Sequence, residues 1–204
     1  MSQRIGIYAG SFDPIHNGHL AFAQTALDGG IEKVMFLVEP QPWRKQGVKA
    51  LEHRIAMVRL AIAKNSKLGV IVAERAKVTV HETLPALQAR FKGCELVLLF
   101  GDDVVSYMAE HVAAWPHIED LVNSASLIIA SRRLTQPAVA KQLAFLKSEY
   151  GLPFRYDFVN PDMGDVSSSE IRLAIKKGQS TSSLPSVVAD YIREKGLYAS
   201  SADS

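Results

Sequence analysis

The chain has 204 residues, with 23 Lys and Arg against 21 Asp and Glu for a formal net charge of +2, and 48% of its residues are hydrophobic. A chain of that length buries roughly 70% of the surface its unfolded form exposes, enough for one domain with a full core. Near-balanced charge with no block of one sign argues against a polyelectrolyte partner such as nucleic acid, and the single cysteine, Cys94, excludes an intrachain disulfide and any CxxC metal spacing. The first apolar stretch stops at Ser11 and Asp13, short of the ~7–15 residues of a signal-peptide core. LVLLF (96–100) falls well below the ~20 residues needed to cross a bilayer, so a cytoplasmic protein without membrane contact is expected.

In chain order, RIGIYAG (4–10) is an apolar run ended by Gly10 and predicts a first strand, and GSFDPIHNGHL (10–20) leads from it into a helix. KVMFLVE (33–39) predicts a second strand. Leu51, Ile55, Val58 and Ile62 then recur at helical spacing, which places them on one face with Glu52, Arg54 and Arg59 elsewhere. Further strands are predicted at GVIVAE (69–74), ELVLLFG (95–101), SLIIASR (126–132) and RYDFV (155–159), and ETLPALQARF reads as an amphipathic helix. Near-continuous apolar strands alternating with helices imply a parallel sheet covered on both faces, a doubly wound α/β fold with right-handed crossovers.

After about residue 160 two helix patterns, SSSEIRLAIKKG and LPSVVADYIREKG, follow each other without a strand between them and predict a helical C-terminal extension. In the second, Leu184, Val187, Val188, Tyr191 and Ile192 form an apolar stripe, Pro185 suits the first turn and Gly196 suits the position past the end. The tail ASSADS is expected to fray. No repeat or low-complexity linker intervenes, so 1–160 and 161–204 are read as subregions of a single domain.

In an open parallel sheet, ligands bind beyond the carboxyl ends of the strands, and GSFDPIHNGHL occupies such a place. Pro14 stiffens the loop, and Gly10 and Gly18 remove side chains so that backbone N–H groups can approach an anion. His16 and His19, three apart at a helix start, can face one side. Together with the helix N-terminus they form a receptor for a phosphate whose negative charge grows during reaction. A lone loop histidine is more often structural than catalytic, and zinc is the other functional reading, but HxxH here lacks a third ligand and a general-base glutamate. Neither GxGxxG nor GxxxxGK[ST] is present, which disfavours a bound Rossmann dinucleotide and a P-loop site. Later in the chain, Ser167 followed by Glu170 forms a capping box, which by itself describes an ordinary surface helix. The same helix start, with the Ser168 and Ser169 hydroxyls and the fixed charge of Arg172, also suits the phosphates of an anionic ligand.

These residues carry a resemblance. GSFDPIHNGHL closely resembles the (H/T)xGH signature of nucleotidyltransferases that join a nucleotide to a phosphorylated acceptor, and its long form is similar to that of the nicotinate-nucleotide adenylyltransferases. DVSSSEIRLAIKKGQS resembles the family's second signature, ISSTxIR, with Val166 and Ser169 departing from it. FGDDV (100–104), Trp115, SLIIASR and VVADYIREKGLY extend the likeness in family order over nearly the whole chain. The resemblance implies a Rossmann-like nucleotidyltransferase fold and in-line attack of an acceptor 5′-phosphate on the α-phosphorus of ATP, with Mg²⁺ carried by the ATP and no resident metal. It implies His16, His19 and Arg172 as catalytic residues, with Gly10, Ser11, Phe12, Gly18, Ser168 and Ser169 at the ATP phosphates. Gly101 and Asp103 would lie at the adenosine ribose, and Lys45, Thr83, Trp115 and Arg132 at the acceptor. Asp102 is an extra carboxylate expected to lie in solvent, and Arg132 or Arg133 could reach a phosphate.

Two segments depart from the family where the acceptor is set. QPWRK (41–45) stands for PPHK, keeping Pro42 and Lys45 but carrying Trp43 and Arg44, and KVTVHETL (77–84) stands for SYTxDTL, keeping Thr83 and Leu84 with Glu82 for Asp. Trp43 and Arg44 could alternatively pack on a neighbouring subunit of a homo-oligomer. The expected acceptor is nicotinate mononucleotide. Nicotinamide mononucleotide is its closest competitor, phosphopantetheine suits shorter chains with TxGH, and cytidylyl transfer is disfavoured by SSSEIR. A non-catalytic nucleotide sensor on the same fold is the alternative outside enzymology.

Overall fold

The computed structural model describes residues 2–42, 45–73, 75–162 and 166–199. Strands β1 (Arg4–Gly10), β2 (Lys33–Val38), β3 (Leu68–Val72), β4 (Glu95–Gly101), β5 (Ala125–Ala130) and β6 (Tyr156–Val159) form one sheet. Helices α1 (Asn17–Asp28), α2 (Leu51–Ile62), α3 (Val80–Arg90), α4 (Asp102–Glu110), α5 (Ile118–Ser124) and α6 (Gln136–Tyr150) lie between them, and α7 (Ser168–Lys176) and α8 (Ser186–Glu194) follow. Each predicted strand is present, with ends displaced by a residue or two. All pairings are parallel in the order β3-β2-β1-β4-β5-β6. The order reverses between β1 and β4, so a crevice opens beyond their carboxyl ends, where the loops after Gly10 and Gly101 meet.

The sheet is buried on both faces, as unbroken apolar strands require. One core joins Phe22, Val34, Phe36, Val58 and Ile62 to Ile171, Val188, Ile192 and Tyr198, so α7 and α8 cover the same face as α1 and α2. The other joins Ile7, Leu98, Leu127 and Ile129 to Leu87, Met108, Leu121 and Leu143 under α3 to α6. Burying a leucine or isoleucine in either layer stabilises the fold by about 1.5–3 kcal/mol. His53 Nδ1 lies 2.9 Å from the Tyr191 hydroxyl and links α2 to α8.

The helix at 51–62 forms as predicted, but Arg54 does not lie outside its packed face. Arg54 is 1% exposed, buried with Met57, Val58 and Ile62. It sits three and four residues before Met57 and Val58, and so on their stripe. The tail from 200 onward and the Trp43 and Arg44 pair lie outside the described residues.

Candidate active site

Gly10 ends β1, and the chain turns sharply through Phe12, whose φ of 48° lies in the left-handed region that costs a bulky residue energy. The strain is offset by burial. Its ring is boxed by Tyr8, Phe36 and His19 at centroid distances of 5.5, 5.2 and 5.1 Å. His16, in extended conformation, is the N-cap of α1, and its backbone N–H donates to His19 Nδ1 at 3.2 Å. That bond makes Nδ1 an acceptor, so a neutral His19 carries its proton on Nε2. The two imidazoles stack at 3.7 Å with 29° between planes, so the one-sided placement expected from their spacing is realised. Gly18 serves this packing directly: a Cβ there would meet the His16 ring at 3.1 Å.

Both histidines are neutral near pH 7. Burial, assisted by the Arg132 charge, lowers His16 to about 4. His19 is pushed well below its ordinary value by burial, then by His16, Arg132 and Lys45. A bound phosphate would act against this lowering, since its negative charge favours the protonated rings, and it is attracted by the same cations. His16 Nδ1 is buried with no hydrogen-bond partner among the described residues. The cations are themselves held in place: Lys45 Nζ donates to Ser11 Oγ at 2.9 Å, and Arg132 Nη2 lies 3.9 Å from Asp103 Oδ1. Gly101 lies under that pair, and a side chain there would collide with the Asp103 carboxylate.

Asp102 is not the solvated carboxylate expected from sequence. It is 1% exposed, and its Oδ2 accepts the backbone N–H groups of Arg132, Arg133 and Leu134 at 2.8, 2.6 and 2.7 Å. An anionic acceptor gathering three successive amides fixes the turn after β5 and, with it, the place from which Arg132 projects.

The start of α7 meets the β1–α1 turn. Ser167 and Glu170 close the predicted capping box, with Ser167 N–H donating to Glu170 Oε2 at 3.2 Å and Glu170 N–H to Ser167 Oγ at 3.1 Å. The Ser168 hydroxyl donates to the Pro14 carbonyl at 3.0 Å. Arg172 Nη1 donates to the Asp13 carbonyl at 2.7 Å, and Nη2 donates to Ser169 Oγ at 3.2 Å. The two segments therefore converge, and the serine hydroxyls placed at the phosphates by resemblance are engaged within the protein. What α7 leaves without an intrahelical partner, once Glu170 N–H is capped, is the backbone N–H of Ser168 and Ser169.

Beneath this junction lie residues that sequence reasoning missed. Buried Asp13 accepts the Tyr198 hydroxyl at 2.6 Å and the Lys49 N–H at 3.3 Å on Oδ1, with Arg172 3.9 Å from Oδ2. Burial, reinforced by the bond to Asp13, raises the Tyr198 phenol far above its ordinary range, so it remains a donor. Arg54 donates to the carbonyls of Lys49, Ser11, Glu39 and Pro40 at 2.9, 2.9, 2.7 and 2.8 Å, tying both ends of the β2–α2 connection to the β1–α1 turn under the crevice. Burial lowers its pKa, and the charge of Asp13 opposes that shift.

Thr83 and Trp115 lie apart from this cluster. Thr83 Oγ1 accepts the Thr79 N–H at 3.1 Å in the first turn of α3, and Trp115, half-buried, packs 6.4 Å from Phe100 at the border of the second core. Phe100 precedes Gly101, so this wall continues from the β4 side of the crevice.

A parallel sheet with a glycine-flanked turn at its switch point, two stacked histidines and the capped start of α7 beside them form the pattern of a nucleotidyltransferase. The cytidylyltransferase-like family model matches residues 7–174. A chain from Neisseria meningitidis named "Probable nicotinate-nucleotide adenylyltransferase" is 34% identical over 96% of this chain and 98% of its own length. The nicotinate-nucleotide adenylyltransferase of Bacillus subtilis is 30% identical over 97% of this chain and 100% of its own. The chain belongs to the nicotinate-nucleotide adenylyltransferase family. Its fold also matches the Plasmodium falciparum nicotinic acid mononucleotide adenylyltransferase complexed with NaAD, at a TM-score of 0.74 and 21% identity over 96% of this chain and 97% of that one.

Proposed function

We propose that this enzyme transfers the adenylyl group of ATP to nicotinate mononucleotide, giving nicotinate adenine dinucleotide and pyrophosphate. An oxygen of the acceptor's 5′-phosphate forms the new bond to the α-phosphorus. The bond from that phosphorus to the α,β-bridging oxygen breaks, and pyrophosphate leaves with the electron pair. The observation that carries the reading is the convergence of the His16–His19 turn with the start of α7, through Arg172 and Ser168 on the carbonyls of Asp13 and Pro14.

Such transfer depends on positioning and on neutralising charge as it develops, without a covalent enzyme intermediate. His19, neutral with its proton on Nε2, donates to the α-phosphate, and His16 stacks behind it and shares the charge that reaches the site. Arg172, Lys45 and Arg132 supply fixed positive charge around the triphosphate. The N–H groups of Ser168 and Ser169, rather than their hydroxyls, face the β- and γ-phosphates. Asp103 stands at the ribose, with Gly101 leaving room beside it, and Trp115 forms a wall for the pyridine ring. Mg²⁺ enters with ATP: Asp13, the carboxylate under the turn, is committed to Tyr198, the Lys49 N–H and Arg172, so the protein's own contribution is cationic.

The test is pyrophosphate release by the purified protein with ATP, Mg²⁺ and one acceptor at a time: nicotinate mononucleotide, nicotinamide mononucleotide or phosphopantetheine. Fastest turnover with the first is expected. Faster turnover with either of the others reassigns the acceptor, and silence with all three overturns the reading.

A further inference from the structure

At the starts of α3 and α5 a second group of titratable side chains comes together. His81 is the second residue of α3, His117 is the N-cap of α5, and Asp120 lies in the first turn of α5. One donor atom from each lies within 4.8 Å of the others, and His117 Nδ1 is 3.8 Å from Asp120 Oδ2. The two imidazoles stack at 4.4 Å with 24° between planes, and all three residues are exposed. Among the described residues no other group of three His, Cys, Asp or Glu side chains is close enough to share an ion.

We propose that His81, His117 and Asp120 bind a divalent transition-metal ion of the zinc and nickel class on the protein surface. Two imidazoles and one carboxylate are a donor set for such ions rather than for Mg²⁺ or Ca²⁺, which select oxygen. Tetrahedral coordination with bonds of about 2.0–2.2 Å places donors roughly 3.3 Å apart. The present spread of up to 4.8 Å has to contract to that value, and all three side chains are exposed. His117 holds a left-handed conformation, φ 63°, unfavourable for a residue with a Cβ, and its backbone bonds do not engage the ring. The partial positive charges of two helix starts oppose a cation, but Glu82 and Glu119 in the same first turns, with Asp120, supply the offsetting charge. The bound ion would tie the first turn of α3, which carries Thr83, to the segment that follows Trp115.

The experiment uses tag-free, EDTA-stripped protein with neither ATP nor acceptor, so that its outcome is independent of the catalytic reading. Zn²⁺ is titrated by calorimetry, and Co²⁺ is followed by its visible absorption, which reports imidazole ligation. One ion per chain is expected, with affinity reduced by about 10–100-fold or more in His81→Ala and in His117→Ala, and less in Asp120→Asn. The doubly substituted His16→Asn/His19→Asn protein should bind Zn²⁺ as the parent does. Circular dichroism establishes that each variant is folded. Absence of binding overturns the proposal. So does binding that the His81 and His117 variants leave unchanged, or binding lost only in the His16/His19 variant, which would place the ion on the crevice pair.

Discussion

The Tyr198 hydroxyl donates to the Asp13 carboxylate at 2.6 Å, across 185 positions of sequence, so the turn after α8 is locked to the underside of the loop that leads into His16 and His19. Tyr198→Phe removes one charge-assisted bond and leaves a buried carboxylate oxygen with only the Lys49 N–H. A loss of about 1–3 kcal/mol in urea unfolding is expected, with KM for ATP raised more than kcat is lowered, because the loop loses support but no reacting group. An unchanged midpoint would show that the bond contributes nothing.

On the proposed function, substituting His16 or His19 by Ala removes groups that act as charge develops. Turnover should fall by roughly 10²–10³-fold, the range for a single donor of this kind, while KM for ATP moves only a few-fold. Steady-state pyrophosphate assays on variants with parental circular dichroism provide the check, and near-normal kcat in both would remove the histidines from the chemistry.

Asp102 should prove costly to replace. Asp102→Ala leaves the amides of Arg132, Arg133 and Leu134 without their acceptor, and a destabilisation of about 3–5 kcal/mol follows from losing charged hydrogen bonds in a buried setting. Asp102→Asn retains an acceptor oxygen and should lose less. Denaturant unfolding of the two variants side by side measures the difference, and equal stability of both with the parent would refute the assigned role.

Arg54→Met preserves volume on α2 but strips four loop carbonyls of their donor. The expected loss is about 3–5 kcal/mol, and limited proteolysis should cut first in the segment between β2 and α2. A variant as stable and as resistant as the parent would show that water satisfies those carbonyls equally well.

The ligand-free protein should lose stability in mild acid through His16. Its folded pKa of about 4 lies below the ordinary 6.5, so from about pH 6.5 down to 4 the unfolded chain binds more protons than the folded one. Stability therefore falls as pH falls through that window, by roughly 2 kcal/mol at pH 5. Urea unfolding at pH 7 and pH 5 should show a smaller difference for His16→Asn than for the parent. Equal differences would mean that His16 titrates normally.

The six strands and the pairing of the two signature segments were legible because each rests on a local pattern: apolar runs for the strands, and a glycine-flanked turn and a capping box for the segments. The support beneath the site was not. Arg54 reads as a solvated helix residue by charge even though its spacing from Met57 and Val58 already placed it on the packed stripe. Its burial depends on carbonyls contributed by the β1–α1 turn and by both ends of the β2–α2 connection. Asp102, first in α4, resembles any acid stabilising a helix start, and only the return of the chain after β5 supplies its amides. Tyr198 and Asp13 meet through the packing of α8, which no local pattern encodes. Thr83 kept its family position, but its hydroxyl is engaged with the backbone of Thr79.

Two imidazole rings 3.7 Å apart behave as one proton-holding unit. Charging either discourages charging its neighbour, so over the mildly acidic range the pair stores at most a single proton. Nucleotide binding near neutrality should therefore draw no more than one proton from the buffer, and the size of that uptake, measured by calorimetry in buffers of different ionisation enthalpy, reports whether the substrate charges the pair or meets it neutral.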